Sequence, residues 1–320
     1  MIIDCHTHVL DAGFWPREWF DHVAADWAGR APGRRPEMVR HRVEPGLLDP
    51  DGDRMVAAMD RAGVDAAVLL PWDWGPDFHA RASVERVNEH ALAVAARHPG
   101  RIIPFAGVDP RRPGAAELVE RFLRDGPAYG VKLYPACGWD PAGPAAQAVY
   151  DVCQSFDVPV LFHTGHPLPL LDDPGDPLQL LPVVRRNPAL RVWLGHAGAP
   201  DGFDACLAVA AASERVSLEL SVWLWSDSTA ADVERLASRV VAARDSVGIG
   251  RLLFGSDHVS GPRTRGESFL PTVVDLFTSL PDAARRIGHR ITGDEMNAML
   301  GRNAARQLHW TVPTSSVGRQ

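Results

Sequence analysis

Lysine is almost missing from this 320-residue chain: of 33 basic residues one, Lys132, is lysine and the other 32 are arginine. Amine chemistry therefore has a single address. Arginine stays charged, whereas a lysine can lose its proton, form an imine or be carbamylated; it can also simply pair with a carboxylate. Cysteine is scarce as well. Cys5, Cys137, Cys153 and Cys206 show no CxxC spacing, which argues against a disulfide framework or a cysteine-type zinc site and makes a reducing cytoplasm the expected compartment. By alternation Cys5 is expected to face outward from its strand. No apolar run approaches the ~18 residues of a membrane span. The opening MIIDCHTH lacks the basic segment of a secretory signal. Acidic residues outnumber basic ones by 40 to 33, a net charge of −7, so no general attraction to nucleic acid or anionic membrane is expected. Gly-rich phosphate turns (GxGxxG, Walker), internal repeats and interdomain linkers are all absent.

What is present is an alternation. Short apolar or β-branched runs at 1–8, 64–70, 101–107, 129–134, 158–163, 190–195, 216–221 and 251–256 are separated by amphipathic stretches at 52–62, 80–98, 115–125, 144–157, 201–214 and 229–246. Strands alternating with helices predict a parallel sheet, and eight strands close a (β/α)8 TIM barrel. One barrel domain over 1–310 follows. Residues 11–50 hold Trp15, Trp19 and Trp27, several prolines and six arginines, too much for a plain connector, and read as an insertion over the barrel mouth. Thr292-Gly293-Asp294-Glu295 is a capping box opening a C-terminal helix to about Leu308. Residues 311–320 read as a frayed tail.

Chemistry in such barrels sits at the carboxyl ends of the strands. There the chain places His6 and His8 (His-x-His, one face of strand one), Lys132 on strand four, His163 on strand five, His196 on strand six and Asp257 on strand eight. Five strands ending in metal-competent residues at the same rim point to a divalent metal centre. Imidazole and carboxylate suit zinc, iron or manganese. Trp72, Tyr134, Trp139 and Trp223 follow strands two, four and seven and are candidates for walling an aromatic substrate pocket. His166, in the loop above strand five, and Arg263 with Arg265, after strand eight, are candidates for touching substrate. Glu219 and Ser221 read as barrel-lining polar residues, with proton transfer by Glu219 as the alternative. His258 reads as structural.

The pieces DCHTH (4–8), GVKLYP (130–135), PVLFHTG (159–165), LGHAG (194–198), FGSD (254–257) and LGRNAARQL (300–308) make the chain resemble the amidohydrolase superfamily, in the amidohydrolase-related branch of aminocarboxymuconate-semialdehyde decarboxylase, resorcylate-type decarboxylases and lactone or amide hydrolases. The resemblance covers nearly the whole chain. It implies that His6, His8, His163 and Asp257 bind a divalent metal, that His196 handles the nucleophilic water or a proton, and that Asp257 accepts the water's proton. It also implies a second arrangement: a carboxylated Lys132 bridging two ions, one held with His6, His8 and Asp257, the other with His163 and His196. In the one-metal case Lys132 stays an ammonium and binds a substrate carboxylate. Homodimers are common in that family.

The leading expectation is hydrolysis of an amide, ester or lactone-type bond in a small molecule by a metal-activated hydroxide, with Asp257 and His196 catalytic. Non-oxidative decarboxylation or hydration of an unsaturated or aromatic acid is the rival, favoured by a basic clamp near the metal. Two iron ions, or iron with manganese, would instead allow oxygen activation on the same ligands.

Overall fold

The computed structural model describes residues 1–29, 33–165 and 175–311. In chain order it runs β1 (Ile3–Val9), α1 (Arg17–Gly29), α2 (Pro36–Leu47), α3 (Asp53–Ala62), β2 (Ala66–Leu69), α4 (Val84–Arg97), β3 (Ile102–Pro104), β4 (Ala106–Gly107), α5 (Ala115–Arg124), β5 (Val131–Leu133), α6 (Pro144–Ser155), β6 (Pro159–His163), α7 (Leu181–Arg186), β7 (Arg191–Gly195), α8 (Phe203–Ala211), β8 (Val216–Glu219), α9 (Ala230–Val247), β9 (Leu252–Leu253), β10 (His258–Ser260), α10 (Phe269–Thr278), α11 (Leu280–Arg286), α12 (Gly293–Asn297) and α13 (Asn303–Gln307).

All strand pairs are parallel, in the orders β10-β1-β2-β3 and β4-β5-β6-β7-β8-β9. The two ribbons are one barrel. β3 and β4 are halves of the third barrel strand, interrupted at Phe105, whose N–H still donates to Leu69 O at 3.0 Å while Ala106 N donates to Gly130 O at 2.8 Å. Across the opposite seam Cys5 N donates to Phe254 O at 2.9 Å, joining strand eight to strand one. The sequence reading expected an unbroken eighth strand over 251–256; instead it pauses after Leu253 and resumes as β10 beside Thr7, His8 and Val9.

The strands are buried on both faces, as parallel strands flanked by helices must be. One face carries Ala67, Leu69, Val131, Leu133, Val160, Phe162, Val192 and Leu194 into the shell between sheet and helices. The alternate residues, Ile3, Ala66, Val68, Ile103, Phe105, Leu161, Trp193 and Leu253, fill the barrel lumen, closed below by Ala304 and Leu308. Cys5 belongs to this inner set, which corrects the expected outward placement. The register of β1 against β2 slips between Asp4 and Thr7, and such a bulge lets successive residues share a face.

The described part of residues 11–50 includes α1 and α2, helices that the sequence pattern does not predict. They pack on the loops at the strand ends: Gly46 O accepts from Arg263 N at 2.8 Å, and Trp15 lies edge-on to Trp72 at 5.6 Å. The C-terminal helix is α12, a π-turn over Ala298–Arg302, and α13, opened by the reciprocal Thr292–Glu295 capping box. Among the described residues no helix is long and apolar enough to cross a membrane.

Candidate metal centre

His6 and His8 sit on β1 at the open end of the lumen, both buried. Their partners decide which nitrogen is available. His8 Nδ1 lies 2.9 Å from Leu70 O. A carbonyl only accepts, so Nδ1 donates there and Nε2 is the nitrogen left to face the site. His6 Nδ1 donates to Glu219 Oε2 at 2.7 Å, freeing its Nε2 in the same way. Those two Nε2 atoms face Asp257 Oδ1 at 3.7 Å from His6 and 3.3 Å from His8. Backing each metal-type imidazole with a carboxylate or carbonyl is how ligand histidines are oriented. Burial, the largest influence, holds the His6 imidazole well below its ordinary pKa, keeping it neutral. Burial by itself would raise the Asp257 carboxyl, but hydrogen bonding to His8 and the Arg265 charge pull it well below the usual carboxylate range.

A second trio, His6, His196 and Glu219, also brings ligand-type atoms within 4.8 Å of one another. It is less suited to an ion. Glu219 is fully buried and already accepts from His6 Nδ1, His196 N (3.1 Å), Ser221 N (2.6 Å) and Ser221 Oγ (2.9 Å). Three of these four bonds fall on Oε2 and one on Oε1, so this carboxylate is largely engaged in holding its neighbours and the donor set His6, His8 and Asp257 fits a divalent ion better. Burial pushes the Glu219 carboxyl up to about 7.

Asp257 and His196 both hold left-handed backbone, at φ 56° and 67°. Such strain persists only where neighbours enforce it. At His196 the neighbours are Glu219 on the N–H and Trp223 Nε1, which donates to the carbonyl at 2.8 Å. Asp4 does the same for the strand-eight turn, accepting from Ser256 N at 2.9 Å, Ser256 Oγ at 2.5 Å and His6 N at 3.1 Å. His196 stacks on His6 at 4.4 Å. Its Nδ1 meets Ser221 Oγ at 2.8 Å, and its Nε2 lies 3.1 Å from His163 Nδ1. His163 therefore stands one ring beyond the His6–His8–Asp257 set.

Lys132 is buried to 2 % exposure, and its Nζ has no hydrogen-bond partner. Burial lowers its pKa to about 8, only partly offset by Asp257 and Glu219. Arg265 donates to Asp257 Oδ2 at 3.3 Å, and its Nη1 is buried without a partner. Its guanidinium is held over Trp225 and Phe269, 4.6 Å from each ring centroid.

Around this centre Trp72 packs against Tyr134 (4.4 Å), His8 (5.9 Å) and His163 (6.3 Å). Trp139 stands behind Tyr134, its Nε1 donating to Tyr134 O. Trp223 is turned to the His196 peptide beneath Arg239. Arg263 is exposed and lies along Gly46, away from the centre, whereas its neighbour Arg265 reaches Asp257. His166 lies outside the described residues. From sequence Glu219 reads as a lining residue, with proton transfer as the alternative, rather than as the carboxylate behind His6, and Asp4 has no role of its own. The signal for Glu219 is a carboxylate at the carboxyl end of a fully buried strand, Val216–Glu219.

A family model described as Amidohydrolase matches residues 3–310. None of the curated proteins matches the chain. Solved structures with the same fold include a 5-carboxyvanillate decarboxylase of Novosphingobium aromaticivorans with bound manganese, 14% identical, TM-score 0.65, covering 97% of each chain. A probable 2-pyrone-4,6-dicarboxylic acid hydrolase of Acinetobacter baumannii with citric acid bound is 17% identical, TM-score 0.63, covering 96% of this chain and 99% of its own. An amidohydrolase of Burkholderia multivorans with bound zinc is 20% identical, TM-score 0.63, covering 97% and 99%.

Proposed function

Because the chain belongs to the amidohydrolase family, and so is an enzyme of that superfamily, we propose that it is a metal-dependent decarboxylase of planar aromatic or unsaturated carboxylic acids. The observation that carries this reading is Lys132 Nζ, a buried cationic group without a hydrogen-bond partner, together with the unpartnered Nη1 of the guanidinium whose other arm, Arg265 Nη2, pairs with Asp257 beside the His6–His8 pair. A buried cation with no partner costs free energy. A substrate carboxylate entering between these groups would supply the missing acceptors.

His6, His8 and Asp257 would hold the divalent ion, with His163 and His196 next to it. When bound, such an ion supplies Lewis acidity toward a substrate oxygen. Lys132 stays an ammonium and seats the carboxylate. Trp72 and Tyr134 flank the ring and exclude water. Loss of carbon dioxide leaves the electron pair on the ring carbon, and that carbon takes up one proton. Asp257 is the carrier assigned to it: ionised at the start, it would first take a proton from a hydroxyl of the bound acid or from water and then hand that proton to the carbon, while His196 orients the second face through Ser221. A second reading, hydrolysis of a carboxylated lactone, amide or ester, uses the same clamp and is favoured by the dicarboxylic acid hydrolase among the structural neighbours.

The test is carbon dioxide release from 5-carboxyvanillate, 2,6-dihydroxybenzoate and related acids by zinc- or manganese-loaded protein, run beside carboxylated lactones and esters. Decarboxylation is expected. Lys132→Met should lower kcat/KM by about 10–100-fold, the worth of one charged hydrogen bond, with metal content unchanged. Lactone or ester turnover without carbon dioxide would overturn decarboxylation in favour of hydrolysis. Loss of one of two bound ions in Lys132→Met would overturn the ammonium role in favour of a carboxylated bridge.

A further inference from the structure

Arg111 and Arg112 follow the third barrel strand and make no contact with the metal-type residues, yet they tie together the loops that carry the aromatic wall. Arg112 grips both carboxylate oxygens of Asp73 at 2.6 Å each, and Gly75 O at 3.1 Å. Asp73 lies between Trp72 and Trp74 in the chain and also accepts from Asp109 N at 2.7 Å. Arg111 spans three loops. It donates to Asp109 through Nε (3.0 Å) and Nη2 (2.7 Å), to Asp77 after strand two through Nη1 (2.6 Å), and to Cys137 O (2.9 Å) and Gly138 O (3.4 Å) after strand four. Asp109 is buried, 1 % exposed. The packing at this junction admits no side chain: Gly75 has φ +80°, and a Cβ there would run into Asp109 Oδ2 and lie 2.6 Å from Arg111 Nη2.

The consequence falls on the rings. Trp72 stacks on Trp74 at 5.0 Å and 12°, and meets Tyr134 edge-on at 4.4 Å; Tyr134 in turn meets His163 at 4.3 Å. Trp72 and Trp74 flank Asp73, and Tyr134 stands three residues before Cys137. The wall is thus assembled from separate loops whose common fastening is the Arg111 guanidinium. A planar group with five donors can hold four acceptor residues at once; an ammonium cannot.

We propose that Arg111 is a positioning residue: by clamping the loops after strands two, three and four it sets the Trp72–Tyr134 wall against His8 and His163 and thereby sets which flat acids the site accepts. This rests on the aromatic-acid reading of the site.

The experiment compares zinc-loaded wild type, Arg111→Met, Arg111→Lys and Arg101→Met in the full chain. Arg101 serves as control because it makes a similar set of bonds, to Asp60, Asp65 O and Val64 O, where the chain enters the third strand at the other end of the barrel. Three quantities are read: zinc per chain, the exciton-coupled circular dichroism of the stacked indoles (assigned with Trp74→Phe), and quenching of tryptophan fluorescence by 2,6-dihydroxybenzoate. Arg111→Met is expected to keep its zinc, lose the exciton signal and bind the acid about tenfold more weakly, with KM rather than kcat altered if the acid is turned over. Arg111→Lys should recover part of both, and Arg101→Met should change neither. An Arg111→Met protein with unchanged signal and affinity, or an Arg101→Met protein altered to the same extent, would overturn the proposal. If wild type binds none of the acid the functional reading falls, and the exciton signal alone decides whether Arg111 sets the wall.

Discussion

Lys132 poses the sharpest question at the scale of a single residue. A lysine amine enclosed by protein loses hydration that nothing in the protein replaces, since Nζ has no hydrogen-bond partner. Its stem is as long as a methionine, so Lys132→Met should fill the same space without the buried charge. The free protein is expected to gain about 1–3 kcal/mol while losing turnover, read by urea unfolding beside the carbon dioxide assay. A destabilised Lys132→Met protein would mean that the amine has a partner of its own, such as a carbamate between two ions. Glu219 illustrates the opposite case. Four donors converge on one carboxylate, so its role is to hold His6 and His196 in place. That convergence brings together residues from strands one, six and seven, and sequence spacing carries no trace of it.

At the scale of elements, the helices hold the barrel through a few buried polar clasps. Asn88 of α4 donates to Val84 O and to Gly107 O and accepts from Gly107 N at 2.7–2.8 Å. Asn88→Ala strands the peptide of the third barrel strand and is expected to cost about 2–3 kcal/mol, measured by urea unfolding. The C-terminal helix closes the barrel floor by a close approach instead. A Cβ on Gly301 would sit 2.6 Å from Met1 O and 3.2 Å from Ile3 N, both backbone atoms that cannot turn aside. Gly301→Ala should therefore cost about 1–3 kcal/mol in the same assay. The capping box at Thr292–Glu295 was legible in the sequence because its two partners are three residues apart. The helices of residues 11–50 were not, because Pro45 and the scattered tryptophans blur their period and their buried faces are defined by loops of other strands. The register slip in β1 is not legible in the sequence either: alternation predicts which face a residue takes only while the pairing is regular.

For the whole molecule the decisive quantity is the number of ions per chain. One ion per chain, with thermal stability lowered by chelation, is expected from the His6–His8–Asp257 set; a ligand that binds only the folded state stabilises it by about 2.7 kcal/mol at a hundred times its Kd. Elemental analysis with a melting curve in EDTA checks both. Two ions per chain would instead favour the bridged arrangement through Lys132 and His163.

The succession of short apolar runs determined the barrel, because each strand buried on both faces must be apolar along its length and each helix must show one apolar side; both are local patterns. The ligand types at the strand ends were equally readable, since β1, β5, β6, β7 and the turn after β9 deliver His6, His8, Lys132, His163, His196 and Asp257 to one rim wherever the barrel closes. Tertiary structure alone decided which of these share an atom's reach. It put His163 one ring away, chose Arg265 over Arg263 beside Asp257, and left Lys132 without a partner. Distances between side chains on different strands depend on bulges, turns and left-handed residues such as His196 and Asp257, and these are settled by packing across the barrel rather than by neighbours along the chain.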